Sequence, residues 1–198
     1  MQDGIQPERR STFLLVLGVT TIRVPLAIVF CIFYLTRSPD LVRVLVGLAL
    51  LLLIEASDLT DGALARSRGV VSELGAMLDP YTDSFSRLVV YWTLAAAGDV
   101  LLITPLILAL RDITVSYCRI VLTRRGRSVR ANMSGKIKAI VQGTAACFAV
   151  AMPVLFRDDY RVYGIVLSWI VILVTATSVL QYVRAAVRAF NAPREDGA

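Results

Sequence analysis

Long apolar stretches alternate with short polar segments along the chain, and each stretch reaches or approaches the roughly 20 residues that a helix needs to cross a bilayer. We predict six spans, at about 20–35, 41–66, 74–97, 100–122, 139–156 and 162–183. A shorter apolar piece at 13–17 precedes the first span and is expected to form a short N-terminal interfacial helix. The predicted fold is all-α and integral to a membrane.

The polar ends flank one predicted domain that covers residues 1–198. Residues 1–12 form a polar N-terminal segment, and residues 185–198 form a polar C-terminal tail. The first apolar stretch also resembles a signal peptide, but no convincing small-residue cleavage site stands before Arg23. We therefore expect this stretch to remain as the first span.

Composition and charge support a membrane location. The chain of 198 residues is 57% hydrophobic, more than the roughly one half that is typical of soluble domains. Its net charge of +6 could indicate a nucleic-acid partner. The basic residues, however, concentrate in the 66–74 and 123–138 connections and in the tail, which is typical of cytoplasmic loops. We expect no nucleic-acid binding, and we expect both termini to face the cytoplasm.

The inventory of reactive side chains excludes several kinds of catalysis. The chain contains no histidine, so serine–histidine and cysteine–histidine chemistry are absent. Its three cysteines lie in apolar stretches without a CxxC pair, which indicates neither a zinc site nor a disulfide framework. Catalysis must therefore use carboxylates, Lys, Arg, Tyr or hydroxyl groups.

Four aspartates stand at the ends of the second and third predicted spans. Asp58 and Asp61 have i, i+3 spacing, and Asp79 and Asp83 have i, i+4 spacing, so each pair shares one helix face. The short connection makes the two helices antiparallel neighbours with both pairs at the cytoplasmic end. Carboxylates gathered at membrane depth repel one another unless a cation neutralises them. Their oxygens suit Mg²⁺ or Mn²⁺, and four acids can hold two ions.

Small residues accompany these aspartates. Gly62, Ala65 and Gly75 leave room for a flat ligand or for close contact between helices. Arg66, about one helical turn beyond Asp61, can reach a phosphate that bridges the metal ions.

Capping or ion transport could also account for acidic residues at these positions. Asp79 before Pro80 has the pattern of a helix N-cap with proline at the first helical position, although capping cannot account for all four acids. Alternatively, the acids line the pathway of a divalent-cation transporter.

The residues from Asp58 to Asp83 follow the pattern D-x2-D-G-x2-A-R-x8-G-x3-D-x3-D. This pattern resembles that of the CDP-alcohol phosphotransferase family. The resemblance implies a six-helix membrane fold that is usually dimeric. It also implies a reaction in which an alcohol attacks the β-phosphate of a CDP-linked substrate and CMP leaves.

The same resemblance implies roles for individual residues. Asp58, Asp61 and Asp79 correspond to metal ligands, and Asp83 corresponds to the general base, which also touches the second metal ion. The implied contacts to the cytidine diphosphate are Gly62, Ala65, Arg66, Ser72 and Gly75. Thr20 and Thr21 resemble a nucleotide contact at the entry to the first helix, or else their hydroxyl groups bond the preceding turn.

Two further segments, 111–119 and 134–142, resemble the bacterial phosphatidylglycerophosphate synthase branch. That resemblance implies CDP-diacylglycerol as donor, glycerol 3-phosphate as acceptor and a bacterial inner membrane as location. The candidate acceptor-phosphate ligands are Arg111, Arg119, Lys136 and Lys138. Alternatively, Asp112 neutralises Arg111, and the other three cations serve topology and lipid headgroups.

Two departures from that branch leave the acceptor open. Ala139 stands where the branch has threonine, and Asp83 is followed by Ser84-Phe-Ser-Arg87 rather than by lysine. An inositol-phosphate acceptor is the alternative within the family, because an arginine-lined pocket would also serve it.

Overall fold

The computed structural model describes the backbone of residues 7–68, 73–124, 133–156 and 159–191, and the side chains of 22–57, 80–124, 137–156 and 159–191. Within this part the chain is helical and contains no strand, as predicted. The helices are α1 (Pro7–Thr36), α2 (Leu41–Arg68), α3 (Glu73–Ala97), α4 (Ile103–Arg124), α5 (Met133–Leu155) and α6 (Tyr160–Asn191).

The helix bounds correct one expectation, show that part of the polar tail is helical and exclude one alternative. Residues 13–17 do not form a separate interfacial helix but belong to α1, because the single glycine that follows them costs only about 1 kcal/mol in a helix. The predicted polar tail from 185 is helical as far as Asn191. Asp79 and Pro80 lie inside α3, which begins at Glu73, so Asp79 does not cap this helix.

The described part of the bundle buries several polar side chains beside its apolar core and exposes many large apolar side chains. Arg23, Thr93, Gln142, Ser168 and Thr175 are almost completely buried, whereas leucines, isoleucines and valines are exposed on the described parts of the helices. A soluble helix shows the opposite arrangement, with its apolar stripe inward and its polar face in water. The distribution is that of a bundle surrounded by lipid.

Hydropathy identifies fewer spans than the six predicted. Among the described residues, Ile137–Leu155 and Tyr160–Asn191 are long and apolar enough to cross a membrane. The described part of α1, Ile22–Thr36, is apolar but shorter. Charged residues such as Arg87 and Arg111 interrupt α3 and α4 and lower their mean hydropathy, whereas the side chains of α2 are described only over 41–57.

The helices pack in a connected arrangement. α1 packs against α2 and α3, α4 packs against α3 and α6, and α5 packs against α2 and α6. Ala27, Phe30 and Tyr34 recur every three or four residues along α1, and all three are buried. This spacing puts them on one face of the helix, where they join the core.

A polar cluster holds the end of the bundle at which α2 begins. Asp40 caps α2, because its Oδ1 accepts the backbone N–H of Arg43 at 2.7 Å. Arg43 pairs with Asp99 at 3.2 Å, and the Tyr34 hydroxyl donates to Asp99 at 2.7 Å.

Glycine is needed at position 164, where α6 passes the loop that contains Asp99. A methyl group on Gly164 would overlap the Asp99 carbonyl oxygen.

These contacts fix the relative direction of α2 and α3. Arg43, near the start of α2, meets Asp99, which lies just beyond the end of α3. Further into the bundle, Glu55 of α2 meets Arg87 of α3. The two helices therefore run antiparallel, as predicted.

Candidate active site

A cavity of about 500 Å³ lies between α3, α4 and α5. Its charged wall residues are Asp83 from α3, Arg111, Asp112 and Arg119 from α4, and Lys138 from α5. The size is within the range of sites for small ligands. The cations and the Asp83 carboxylate line the same cavity. The cavity therefore suits a ligand that has a negatively charged group for the cations and a proton that the carboxylate can accept.

Asp83 is held from within its own helix. Its Oδ1 accepts a hydrogen bond from Nη2 of Arg87, one turn further along α3, at 3.0 Å. The Asp83 side chain is 37% exposed, whereas that of Arg87 is 9% exposed. A buried guanidinium therefore holds a carboxylate that remains accessible from the cavity.

Asp112 joins two of the predicted acceptor ligands. Its Oδ1 accepts from Nη1 of Arg111 at 2.8 Å and from Nζ of Lys138 at 3.1 Å. Arg111 also donates from Nε to the Ser178 hydroxyl at 3.1 Å. Arg111 pairs with Asp112, which was one of the two alternatives for this residue, and it also lies on the cavity wall.

Lys138 is buried, with 6% of the residue exposed, although its place near the basic connection predicts a position at the surface. It takes part in one compact network with Arg111 and Asp112, in which two cations share a single carboxylate.

Arg119 lies about two turns beyond Arg111 on α4. The guanidinium carbon atoms of Arg111 and Arg119 lie 5.8 and 5.7 Å from the ring centre of Tyr182. Both distances are within the range of a cation–π contact. Tyr182 of α6 therefore helps to keep the two arginines beside the cavity.

A second, much smaller cavity of about 20 Å³ lies beside Asp83. Arg23, Glu55, Arg87 and Gln142 contribute to its walls. The volume is enough for about one water molecule, and the walls offer several polar partners for it. Asp83 thus lies between a large ligand-sized cavity and a small polar one.

Many of the predicted site residues lie outside the described side chains. Asp58, Asp61, Gly62, Ala65 and Arg66 are on α2, Gly75 and Asp79 are on α3, Thr20 and Thr21 are on α1, and Lys136 is on α5. Ser72 falls in the segment between α2 and α3, outside the described residues.

The helix register still relates the two acidic segments. At 1.5 Å per residue, the Asp58 backbone lies about 4.5 Å beyond Glu55 along α2, and the Asp83 backbone lies about 6 Å from Arg87 along α3. Because Glu55 and Arg87 are in contact and the helices are antiparallel, both displacements point toward the same end of the bundle.

Residues 14–181 match the family described as CDP-alcohol phosphatidyltransferase. The match extends from α1 into α6 and includes the cavity and the acidic motif. The chain belongs to the CDP-alcohol phosphatidyltransferase family. The family is one of membrane transferases in phospholipid synthesis, which agrees with the lipid-facing surface described above.

Individual relatives of this chain carry more specific names. Proteins from two strains of Mycobacterium tuberculosis, each named probable phosphatidylglycerophosphate synthase, are 30% identical over 139 residues, or 70% of this chain. The chain spans 65% of their length. A Bacillus subtilis protein, named CDP-diacylglycerol–glycerol-3-phosphate 3-phosphatidyltransferase, is 29% identical over 143 residues, covering 70% of this chain and 72% of that protein.

The ligand atoms of the acidic motif suit a hard divalent cation. The four aspartates offer only carboxylate oxygens, which Mg²⁺ and Mn²⁺ prefer. Among the described side chains, no group of three or more acidic, cysteine or histidine residues is placed to hold a metal ion. Of the four aspartates, Asp83 is the one whose side chain is described, and it lies on the cavity wall.

Sequence reasoning did not assign site roles to Glu55 or to Arg87. Each is a charged residue within an apolar stretch, and such residues usually mark a polar site in a membrane protein. The sequence therefore marks Glu55 and Arg87 as unusual. It does not show which residues they contact, because those contacts depend on how α2, α3 and α5 pack.

Proposed function

We propose that this transferase moves a phosphatidyl group from CDP-diacylglycerol to glycerol 3-phosphate, forming phosphatidylglycerophosphate and releasing CMP. The names of the Mycobacterium tuberculosis and Bacillus subtilis relatives support this choice of substrates. Membership of the family favours transfer over the alternative of a divalent-cation transporter.

The observation that carries the proposal is the cavity that Asp83 shares with Arg111, Arg119 and Lys138. An acceptor such as glycerol 3-phosphate has a dianionic phosphate at one end and a hydroxyl group at the other. Guanidinium and ammonium groups bind the phosphate through charge-assisted hydrogen bonds, while a carboxylate accepts the hydroxyl proton. Both requirements are met within one cavity of suitable size.

The reaction then follows from these positions. Arg111, Arg119, Lys136 and Lys138 bind the acceptor phosphate and orient its free hydroxyl group. Asp83 takes the hydroxyl proton as the oxygen attacks the β-phosphorus of the donor. The new P–O bond forms as the bond to the CMP phosphate breaks, and CMP leaves with that pair of electrons. Holding both reactants in place supplies a large part of the rate enhancement.

The remaining motif residues bind the donor in this proposal. Gly62, Ala65, Arg66, Ser72 and Gly75, together with Thr20 or Thr21, contact the cytidine diphosphate. Two Mg²⁺ or Mn²⁺ ions, held by Asp58, Asp61, Asp79 and Asp83, would neutralise the charge of the diphosphate when bound.

The proposal extends to assembly and location. We infer six membrane spans, a homodimer, and a bacterial inner membrane with the site and both termini facing the cytoplasm. The basic residues of the 66–74 and 123–138 connections support this orientation.

The decisive experiment measures CMP release by the purified protein in detergent micelles containing CDP-diacylglycerol. The acceptor panel contains glycerol 3-phosphate, inositol phosphate, serine and water alone, each with Mg²⁺, with Mn²⁺ and with EDTA. We expect metal-dependent CMP release with glycerol 3-phosphate, and a phosphatidylglycerophosphate product by mass spectrometry.

The other outcomes distinguish the alternatives. CMP release with inositol phosphate but not with glycerol 3-phosphate would assign the alternative acceptor, which the cationic cavity could also bind. No metal-dependent CMP release with any acceptor would contradict the transferase proposal.

A further inference from the structure

Arg87 touches three helices from one buried position. Its Nη2 donates to Oδ1 of Asp83 in α3 at 3.0 Å. Its Nη1 lies 3.5 Å from Oε1 of Glu55 in α2 and donates to the Ala139 carbonyl oxygen in α5 at 3.2 Å. The planar guanidinium can serve all three oxygens because its donors are fixed in a fork.

The contact with α5 is made to the backbone. Arg87 donates to the carbonyl oxygen of Ala139 at 3.2 Å, so this bond does not depend on the side chain at position 139.

Asp83 needs the hydrogen bond from Arg87 to keep its position, because its side chain is more than one third exposed. A short carboxylate on a helix can occupy more than one rotamer when nothing holds it. Once Arg87 engages Oδ1, the rotamer is fixed and Oδ2 is left to take a proton. The Glu55 contact also ties this arrangement to α2, three residues before the first aspartate of the motif.

We propose that Arg87 is the positioning residue for the base of this transferase, holding Asp83 by Oδ1 so that Oδ2 accepts the acceptor's proton. The inference rests on the proposed function. Arg87 acts through Asp83 and does not touch the substrates. Its loss should therefore slow turnover without weakening the binding of donor or acceptor.

The test compares Arg87→Gln and Arg87→Lys with the wild type in the CMP-release assay. We expect kcat of Arg87→Gln to fall by about 10- to 100-fold, as for a misplaced catalytic group, while both KM values stay within about threefold of the wild type. Lysine supplies a single charged donor atom in place of the fork. Arg87→Lys should therefore recover part of the lost kcat.

A second readout does not depend on turnover. A rise in melting temperature on adding Mn²⁺ alone, and on adding Mn²⁺ with CDP-diacylglycerol, should be retained in Arg87→Gln, because Asp58, Asp61 and Asp79 remain to bind a metal ion and the donor. A retained shift shows that the donor site is intact. Loss of the shift together with activity would mean that Arg87 maintains the whole site, and would overturn the positioning role.

Arg43→Gln is the matched control. Arg43 is also 9% exposed and also pairs with an aspartate, at 3.2 Å, but at the opposite end of α2 from the motif. We expect this variant to have a lower melting temperature but a kcat within about twofold of the wild type. An equal loss of kcat in Arg43→Gln would show a general packing effect and overturn the proposal.

The outcomes separate the two proposals. A wild type that releases no CMP with any acceptor overturns the proposed function and, with it, the role of Arg87. An active wild type with an equally active Arg87→Gln overturns the role of Arg87 alone. If Arg87→Gln does not fold, Arg87→Lys decides: a several-fold loss of kcat at constant KM supports positioning, and an unchanged kcat or a raised KM contradicts it.

Discussion

Asp83 combines accessibility from the cavity with a fixed partner for one of its oxygens. Arg87 contacts Oδ1, and the cations of α4 and α5 lie along the same cavity wall. A carboxylate is a weak base for an alcohol, so position and nearby positive charge must contribute much of its effect. The proposed function divides the labour, with Asp83 moving a proton and the other three aspartates holding the donor, and the accessible, hydrogen-bonded carboxylate of Asp83 suits the first of these roles.

Asp83→Asn tests that division. An asparagine oxygen can still accept the Arg87 hydrogen bond, but the side chain cannot take a proton. We expect kcat to fall by about 100-fold or more, with retained binding of CDP-diacylglycerol in an equilibrium assay. The control is Asp40→Asn, which preserves an N-cap at the distant end of α2. Near-normal turnover by Asp83→Asn would show that another group is the base.

One carboxylate links a cation of α4 to a cation of α5. Asp112 receives hydrogen bonds from Arg111 of α4 and from Lys138 of α5, and the three side chains are about one tenth exposed. Within the bundle, two cations without this acid would repel each other and be poorly solvated. The bridge therefore stabilises the contact between these helices and sets the spacing of two proposed phosphate ligands.

Asp112→Asn should lower the free energy of unfolding by about 2–4 kcal/mol, since it leaves two mostly buried cations without their counter-ion. Denaturant unfolding in detergent, followed by circular dichroism, measures the change. Adding Lys138→Met to this variant should restore part of the stability, because one unpaired charge is removed. Arg37→Gln, which breaks an exposed ion pair with Asp40, should change stability little. Equal effects of Asp112→Asn and Arg37→Gln would contradict the bridging role.

Over the described side chains, the bundle buries several polar groups beside its apolar core and exposes many leucines, isoleucines and valines. Surrounding lipid explains the exposed apolar side chains, and in the proposed orientation the positive-inside bias places the basic 66–74 and 123–138 connections in the cytoplasm. The charged cavity lies toward that end, since Lys138 and Arg119 are near the 125–132 connection. Water-soluble acceptors would therefore enter from the cytoplasm.

Labelling of single cysteines tests this orientation. In a chain whose three native cysteines are replaced by alanine, Ser38→Cys lies before α2 and Thr123→Cys lies at the end of α4. A membrane-impermeant maleimide should label Ser38→Cys in intact spheroplasts, and Thr123→Cys only after permeabilisation. The reverse pattern would contradict a cytoplasmic site, and labelling of both positions in intact spheroplasts would contradict separation by a membrane.

The sequence by itself determined the helical class, the approximate bounds of α2, α3 and α4, and the family. Apolar stretches close to membrane thickness leave few alternatives to helices, because lipid offers no partners for unpaired backbone groups. The acidic motif from Asp58 to Asp83 is equally local, since its spacing depends only on helix periodicity and one short connection. The antiparallel course of α2 and α3 followed from the same connection and was confirmed.

Tertiary structure decided which charges meet. Nothing in the spacing of Glu55, Arg87 and Ala139 shows that they share one contact, since they lie on three helices whose rotation is set by packing of the whole bundle. The burial of Lys138 beside Asp112 was likewise missed, because hydropathy treats a lysine near a basic connection as surface charge. Local patterns identify the chemistry that a membrane helix carries, whereas the partners of each buried charge depend on the faces that neighbouring helices present.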